Sequence, residues 1–329
     1  MGGPVVRVGV VGVGHLGREH TRIYAELEGL DLVGVYDVDE AAAERSARSH
    51  DCKAFRRRED LLECADAVSV CVPTPQHAEV AGACLEAGLH VLVEKPITDS
   101  LADARDLRDL AVRRQRILQV GHVERFNPAM RAAAQHLGAP RFVECHRLAR
   151  FGRRGSDVAV VLDLMIHDLD LLLTMIGGEV QSIDASGVAV LSGSTDIANA
   201  RLRFRNGCVA NVTASRISME RMRKIRFFQP DSYLSVDLLR EEVAMYRKRA
   251  GAAARAFHAA LARGESPDLL GAIEPVEVSI EREEPLRAEL RDFALAVRDG
   301  RPPTVGAEAG IRALEAAFEI ERLLREEDA

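Results

Sequence analysis

The chain has 329 residues, 47% hydrophobic and 4% aromatic, with 44 basic against 51 acidic side chains and a net charge of −7. That length exceeds what one hydrophobic core ordinarily serves, so two domains are expected. An acidic balance without basic blocks lacks the electrostatic footprint of a nucleic-acid binder. Among the basic residues only Lys53, Lys95, Lys224 and Lys248 are lysines, and lysine, unlike arginine, can be tuned to exchange a proton near neutrality.

The six cysteines form no CxxC pair and read as reduced thiols of a cytoplasmic protein. The apolar stretch 158–178 carries Asp163, His167, Asp168 and Asp170, groups that are costly facing lipid, so no membrane segment is expected. No clustered metal-ligand spacing is present, and no metal is expected.

Up to about residue 121, short β-rich runs alternate with amphipathic stretches. Strands are predicted at Val5–Val11, Leu32–Tyr36, Ala67–Val72, His90–Val93 and Ile117–Val120, and helices near His15–Glu28, Glu40–Ser49, Gln76–Ala87 and Leu101–Arg114. Near-continuous apolar strands between helices indicate a parallel sheet covered on both faces, the doubly wound α/β arrangement. After residue 122 a helix is predicted from Val160 to Ile176, followed by strands near Val180–Leu191, Ile197–Arg205, Cys208–Ile217, Arg223–Phe228, Tyr233–Asp237 and Glu242–Arg247. Consecutive strands with short turns indicate an antiparallel sheet in an α+β domain with one open face. The expected division is therefore 1–121 for a nucleotide-binding Rossmann domain and 122–329 for a substrate-binding and oligomerisation domain. Within the second, 249–268 reads as a helical or poorly ordered insertion and 308–329 as a C-terminal helix.

Directly after the first strand comes Gly12-Val13-Gly14-His15-Leu16-Gly17. In a GxGxxG turn the first glycine permits the tight bend, the second lets a pyrophosphate approach the backbone, and the third lets helix and strand pack closely. Asp37 stands 20 residues past Gly17, at the end of the second strand, where a carboxylate accepts hydrogen bonds from ribose hydroxyls and repels a 2′-phosphate. Strand, glycines and spacing agree on a dinucleotide, with NAD preferred over NADP.

Three further segments suggest chemistry. Glu94-Lys95-Pro96 ends a predicted strand, on the side of the sheet where ligands bind. A lysine beside a cationic nicotinamide would lose its proton more readily, although Glu94-Lys95 also reads as a solvated pair. Asp163, His167 and Asp170 share one helical face by their spacing. A carboxylate there can orient an imidazole for proton abstraction, and the same spacing equally describes a surface ion pair or an interface histidine. Gly121-His122-Val123-Glu124-Arg125-Phe126-Asn127-Pro128 lies where the chain passes between domains, as polar cleft residues or as an ordinary hinge.

Taken together, the glycine motif, Pro73-Thr74-Pro75-Gln76-His77, the run Ala87 to Pro96 ending in Glu94-Lys95-Pro96, the Asp163/His167 helix and the segment Pro285 to Phe293 resemble the Gfo/Idh/MocA oxidoreductases over nearly the whole chain. The resemblance implies hydride transfer between a nicotinamide cofactor and a sugar or cyclitol hydroxyl carbon. It implies Lys95 as catalytic lysine, Asp163 and His167 as the Asp-x-x-x-His pair, and Thr74 and His77 along the nicotinamide end. The cofactor set it suggests is Gly12, Gly14, His15, Leu16, Gly17, Asp37, Thr74, His77, Glu94 and Lys95. Many members pair through the open sheet, which implies a homodimer or homotetramer.

Within the family, residues 121–128 with Arg154-Gly155-Ser156-Asp157-Val158 and 163–168 look most like the UDP-N-acetylglucosamine 3-dehydrogenases. Those enzymes make a 3-keto nucleotide sugar for later amination, as in some lipid A pathways. The run Arg147, Arg150, Arg153, Arg154 fits an anionic diphosphate, or is a basic surface loop. Arg125, Asn127, Arg153, Arg154 and Asp163 are the expected substrate contacts. Whether His167 or Lys95 takes the hydroxyl proton stays open. The alternatives are a free-sugar or inositol dehydrogenase of the same family, or a non-catalytic dinucleotide-sensing regulator.

Overall fold

The computed structural model describes residues 5–152, 158–267 and 269–327. The chain packs as two units, one of Met1–Phe126 with Glu283–Ala316, the other of Asn127–Arg282 with Ala317–Ala329. The first unit is built from β1 (Val6–Val11), α1 (His15–Glu26), β2 (Leu30–Tyr36), α2 (Glu40–Ser49), β3 (Lys53–Phe55), α3 (Arg58–Leu62), β4 (Ala67–Val70), α4 (His77–Glu86), β5 (His90–Glu94), α5 (Leu101–Arg114) and β6 (Leu118–Gly121). Its six strands are all parallel, in the order β3-β2-β1-β4-β5-β6. The order reverses between β1 and β4, the switch point outside whose strand ends ligands bind in such sheets. Helix starts follow local chemistry: Asp39 caps α2 by accepting from Ala42 N–H at 3.1 Å, and Ser100 caps α5 by accepting from Asp103 N–H at 3.1 Å. β3 and α3 were not foreseen, because three residues with only Phe55 buried carry too little periodicity.

The second unit opens with α6 (Pro128–Ala134) and β7 (Phe142–Leu148). A π-helical turn at Val161–Met165 then leads into α7 (Ile166–Met175). There follow β8 (Val180–Val188), β9 (Ile197–Phe204), β10 (Val209–Ser215), β11 (Met222–Phe228), β12 (Ser232–Asp237), β13 (Glu242–Lys248), α8 (Gly251–Ala262) and β14 (Ile273–Val276). The eight strands run β14-β13-β12-β11-β7-β10-β9-β8. Every neighbouring pair is antiparallel except β7 with β10. In α8 only Ala260 is buried, so most of that helix surface meets water.

Two helices follow, α9 (Pro285–Asp299) and α10 (Ala307–Glu327). α9 returns to the first unit: Leu290 and Phe293, three apart on one face, are buried with Val8, Val10, Ile23, Val35 and Leu92. The core of the first unit is thus completed by residues from far along the chain, where a reading by consecutive segments assigns them to the second domain. Among the described residues no helix is long and apolar enough to cross a membrane.

Strand β7 explains its own omission from the sequence reading. Val143, Cys145 and Arg147 alternate inward, and the arginine breaks the apolar pattern. Arg147 is 2% exposed, and its Nε and Nη2 donate to Oδ2 and Oδ1 of Asp168 at 2.9 and 2.7 Å. The expectation that Arg147 serves a diphosphate is corrected: its fork closes on a buried carboxylate and ties a central strand to α7. Arg150 is exposed and donates to the Met219 carbonyl at 2.9 Å.

Breaking a buried pair strands a charge and costs about 3–5 kcal/mol, whereas replacing both partners by apolar groups is close to neutral. Asp168→Ala is therefore expected to lower unfolding stability by that amount in urea titrations, and the double variant Arg147→Met/Asp168→Leu to recover most of it.

Candidate active site

In the first unit, the turn from β1 into α1 has almost no spare volume. Gly12 has φ +88°, and a Cβ on it would lie 2.8 Å from the Cys71 carbonyl oxygen. A Cβ on Gly17 would lie 1.8 Å from the Gly12 carbonyl oxygen. Gly14 differs, since a Cβ there meets nothing within 4 Å. Gly14, His15 and Leu16 are exposed, and no side chain caps α1. The helix thus presents its unpaired N–H groups and the positive end of its dipole at an open surface, which suits a pyrophosphate.

Asp37, just past β2, is held against this turn. Its Oδ2 accepts from Val13 N–H at 2.7 Å and its Oδ1 from Asp39 N–H at 2.9 Å. The carboxylate is half-buried and retains lone pairs for hydroxyl donors.

Further along the same strand ends, Thr74 opens a 3₁₀ turn, Thr74–Gln76, and is half-buried. The His77 ring is buried between two carbonyls, with Nδ1 2.8 Å from Pro96 O and Nε2 2.9 Å from Val72 O. It staples the segment after β4 to the segment after β5. Glu94 closes β5, buried, and Lys95 follows it, half-buried. Burial works to raise the Glu94 carboxyl, but the hydrogen bond and charge of His20, with the charge of Lys95, outweigh it and hold the group below its ordinary value. The His20 Nε2–H donates to Glu94 Oε1 at 3.0 Å, and Lys95 N–H reaches Oε2 at 3.3 Å.

His20 was not singled out in the sequence reading. Its signal is its place on α1, three residues past Gly17 and on the same face. Among the described residues, His20, Cys71 and Glu94 also bring three possible metal-ligand atoms within 4.8 Å. Burial pushes the Cys71 thiol well above its ordinary range, and His20 Nε2 is already hydrogen-bonded to Glu94, while its Nδ1 is buried without a hydrogen-bond partner. The trio as it stands is a polar cluster under the glycine turn rather than a ligand set.

After β6, the 3₁₀ turn Val123–Phe126 holds Arg125, half-buried, whose N–H donates to His122 O at 3.0 Å.

In the second unit, Asn127 starts α6. Its Oδ1 accepts from Ala129 N–H at 3.1 Å and its Nδ2 donates to Leu238 O at 3.0 Å, a structural use that the sequence reading did not foresee. Asp163 lies within the π-helical turn and His167 in the first turn of α7, both half-buried, while Asp168 and Asp170 are buried. The single regular helix expected over Val160–Ile176 is replaced at its start by a wider turn. A π turn inside a helix re-aims side chains and is frequent at functional sites. Arg153 and Arg154, expected at the substrate, lie outside the described residues.

Residues 6–122 match the model of the oxidoreductase family with NAD-binding Rossmann fold. Residues 130–229 match the model of the GFO/IDH/MocA C-terminal domain. The chain belongs to the Gfo/Idh/MocA oxidoreductase family. It is 38% identical over 316 residues to a UDP-N-acetylglucosamine 3-dehydrogenase of Acidithiobacillus ferrooxidans, covering 96% of each chain. A crystal structure of that enzyme superposes with a TM-score of 0.86 over 97% of both chains. A myo-inositol 2-dehydrogenase of Thermotoga maritima is 25% identical over 98% of this chain and 97% of its own. NAD is the family's cofactor, and the open glycine turn beside Asp37 fits it.

The two helix-side glycines are expected to fail differently. Gly17→Ala forces backbone apart and should cost about 3 kcal/mol or more of stability. Gly14→Ala should keep the melting temperature within a few degrees and instead weaken NAD affinity, as read by isothermal titration calorimetry.

Proposed function

We propose that the protein oxidises the C3 hydroxyl of UDP-N-acetylglucosamine, or a closely similar UDP-N-acetylhexosamine, to the 3-keto sugar with NAD as hydride acceptor. The observation that carries this reading is the 38% identity, spread over 96% of each chain, to an enzyme of that name. Relatives named as inositol dehydrogenases match at 25–32% identity, most of them over a smaller share of the chain.

Bound NAD supplies the hydride acceptor at its nicotinamide C4. In this reading the open turn at Gly12, Gly14, His15, Leu16 and Gly17 receives the pyrophosphate, and Asp37 accepts from the ribose hydroxyls. Thr74, His77, Glu94 and Lys95 form the nicotinamide end. Removing hydride from a carbon that bears a hydroxyl requires the hydroxyl proton to leave as well, so a base is needed at that oxygen. Lys95 and His167, the latter oriented by Asp163, are the two groups of this chain assigned to that proton. Arg125, Asn127, Arg153, Arg154 and Asp163 are assigned to the sugar nucleotide, with the arginines suited to diphosphate oxygens. The presence of Lys95, Asp163 and His167 together favours an enzyme over a dinucleotide-sensing regulator. Pairing of copies through the open face of the eight-stranded sheet and a cytoplasmic location complete the reading.

Purified protein is to be mixed with NAD and either UDP-N-acetylglucosamine or myo-inositol, with an aminotransferase and amino donor added to draw off the ketone. NADH formation with the sugar nucleotide is expected. NADH formation with inositol alone overturns the substrate, and no turnover with any polyol overturns the enzyme in favour of the regulator. Lys95→Ala is expected to retain NAD binding and to lose about 10²-fold or more in kcat.

A further inference from the structure

We propose that His20 is a positioning residue for Lys95, acting through the Glu94 carboxylate. The inference rests on the reading of Lys95 as a group that handles the substrate proton.

His20 is fully buried on α1, in the helix that begins at the glycine turn. Its Nε2–H is hydrogen-bonded at 3.0 Å to Oε1 of Glu94, and the other carboxylate oxygen takes the Lys95 backbone N–H. The carboxylate also lies tightly against β6, since a Cβ on Gly121 would fall 3.1 Å from its Cδ and Oε2. One side chain therefore touches α1, β6 and the main chain of the residue that follows it, and His20 fixes one of its two oxygens. The imidazole stands edge-on to Tyr24, with ring centroids 6.4 Å apart, and the Tyr24 hydroxyl is 2.8 Å from Ser69 Oγ. These contacts leave the ring little freedom to turn away from Glu94.

A buried carboxylate is expensive unless it is hydrogen-bonded or paired. Without His20, Glu94 Oε1 loses its hydrogen bond and the carboxylate keeps only its contact with the Lys95 main-chain N–H and the Lys95 charge, so it is freer to rotate or take up a proton, and either change alters the anchor beneath the Lys95 main chain. A displacement of about 1 Å at a reacting group costs on the order of 10²-fold in rate. The histidine ring touches neither the sugar nor the nicotinamide in this account; its effect reaches the chemistry through Glu94. It would also link the glycine turn, where NAD binds, to the lysine that acts beside the nicotinamide.

The test compares Lys95→Ala, His20→Ala and His20→Gln in the full-length protein, measuring kcat, KM for the sugar nucleotide and NAD affinity. Gln places an amide N–H at about the reach of the histidine Nε2–H, so it can restore the bond to Glu94. The expected result is a fall in kcat of about 10²-fold for His20→Ala, with KM and NAD affinity changed by less than about threefold, and recovery of most of that loss in His20→Gln. Should His20→Ala fail to fold, His20→Asn, whose shorter amide falls short of Glu94, takes its place with the same expectation. If Lys95→Ala is inactive but kcat is unchanged without His20, or falls equally with Gln, the positioning role is overturned and the reading of Lys95 survives. If Lys95→Ala retains full turnover, that reading fails, and this inference fails with it.

Discussion

The turn between the first strand and the first helix leaves no room for a side chain at Gly12 or Gly17, and the first unit is arranged around that constraint. Gly17 passes so close to the Gly12 carbonyl that no Cβ fits. That contact sets the direction in which α1 leaves the sheet. Once it is set, the exposed start of the helix is left open at Gly14, Asp37 is brought against the Val13 N–H, and His20 comes to face Glu94. Space is denied where backbone must touch backbone and left where a ligand must approach. The three glycines of one motif thus do two different jobs.

Charge is treated similarly in both units. Among its buried carboxylates each holds one against a defined partner: Glu94 with His20, Asp168 with Arg147. Each carboxylate is a sequence neighbour of a residue assigned to proton transfer, Lys95 in one case and His167 in the other. Buried polar pairs contribute little to net stability, because desolvation offsets their attraction. Their effect is geometric, since a paired carboxylate restricts where the adjoining main chain can go. Lys95, one of four lysines in a chain with many arginines, is the one that follows such an anchor at the end of a central strand.

Much of this was legible in the amino-acid sequence, for identifiable reasons. β1, β4, β5 and β6 are almost wholly buried, so their composition is unambiguous, and α2 and α5 begin and end where their caps and apolar spacing indicate. The glycine motif and Asp37 were readable because steric demands tie residue type to position. Other features were not legible. β7 was hidden by the buried Arg147, whose partner lies 21 residues away and leaves no local trace. The return of α9 to the first unit depends on which apolar face Leu290 and Phe293 complement, a matter of tertiary fit. His20 was overlooked because a lone histidine on an amphipathic helix has no distinguishing pattern until Glu94 is placed opposite it.

In the proposed reaction, hydride leaves C3 of the sugar for the nicotinamide. The most direct measurement uses UDP-N-acetylglucosamine carrying deuterium at C3, with NAD and the aminotransferase trap, followed by mass spectrometry of the reduced cofactor. Each NADH formed is expected to carry one deuterium, with none released to water. Unlabelled NADH, with the deuterium retained in the sugar, would contradict it.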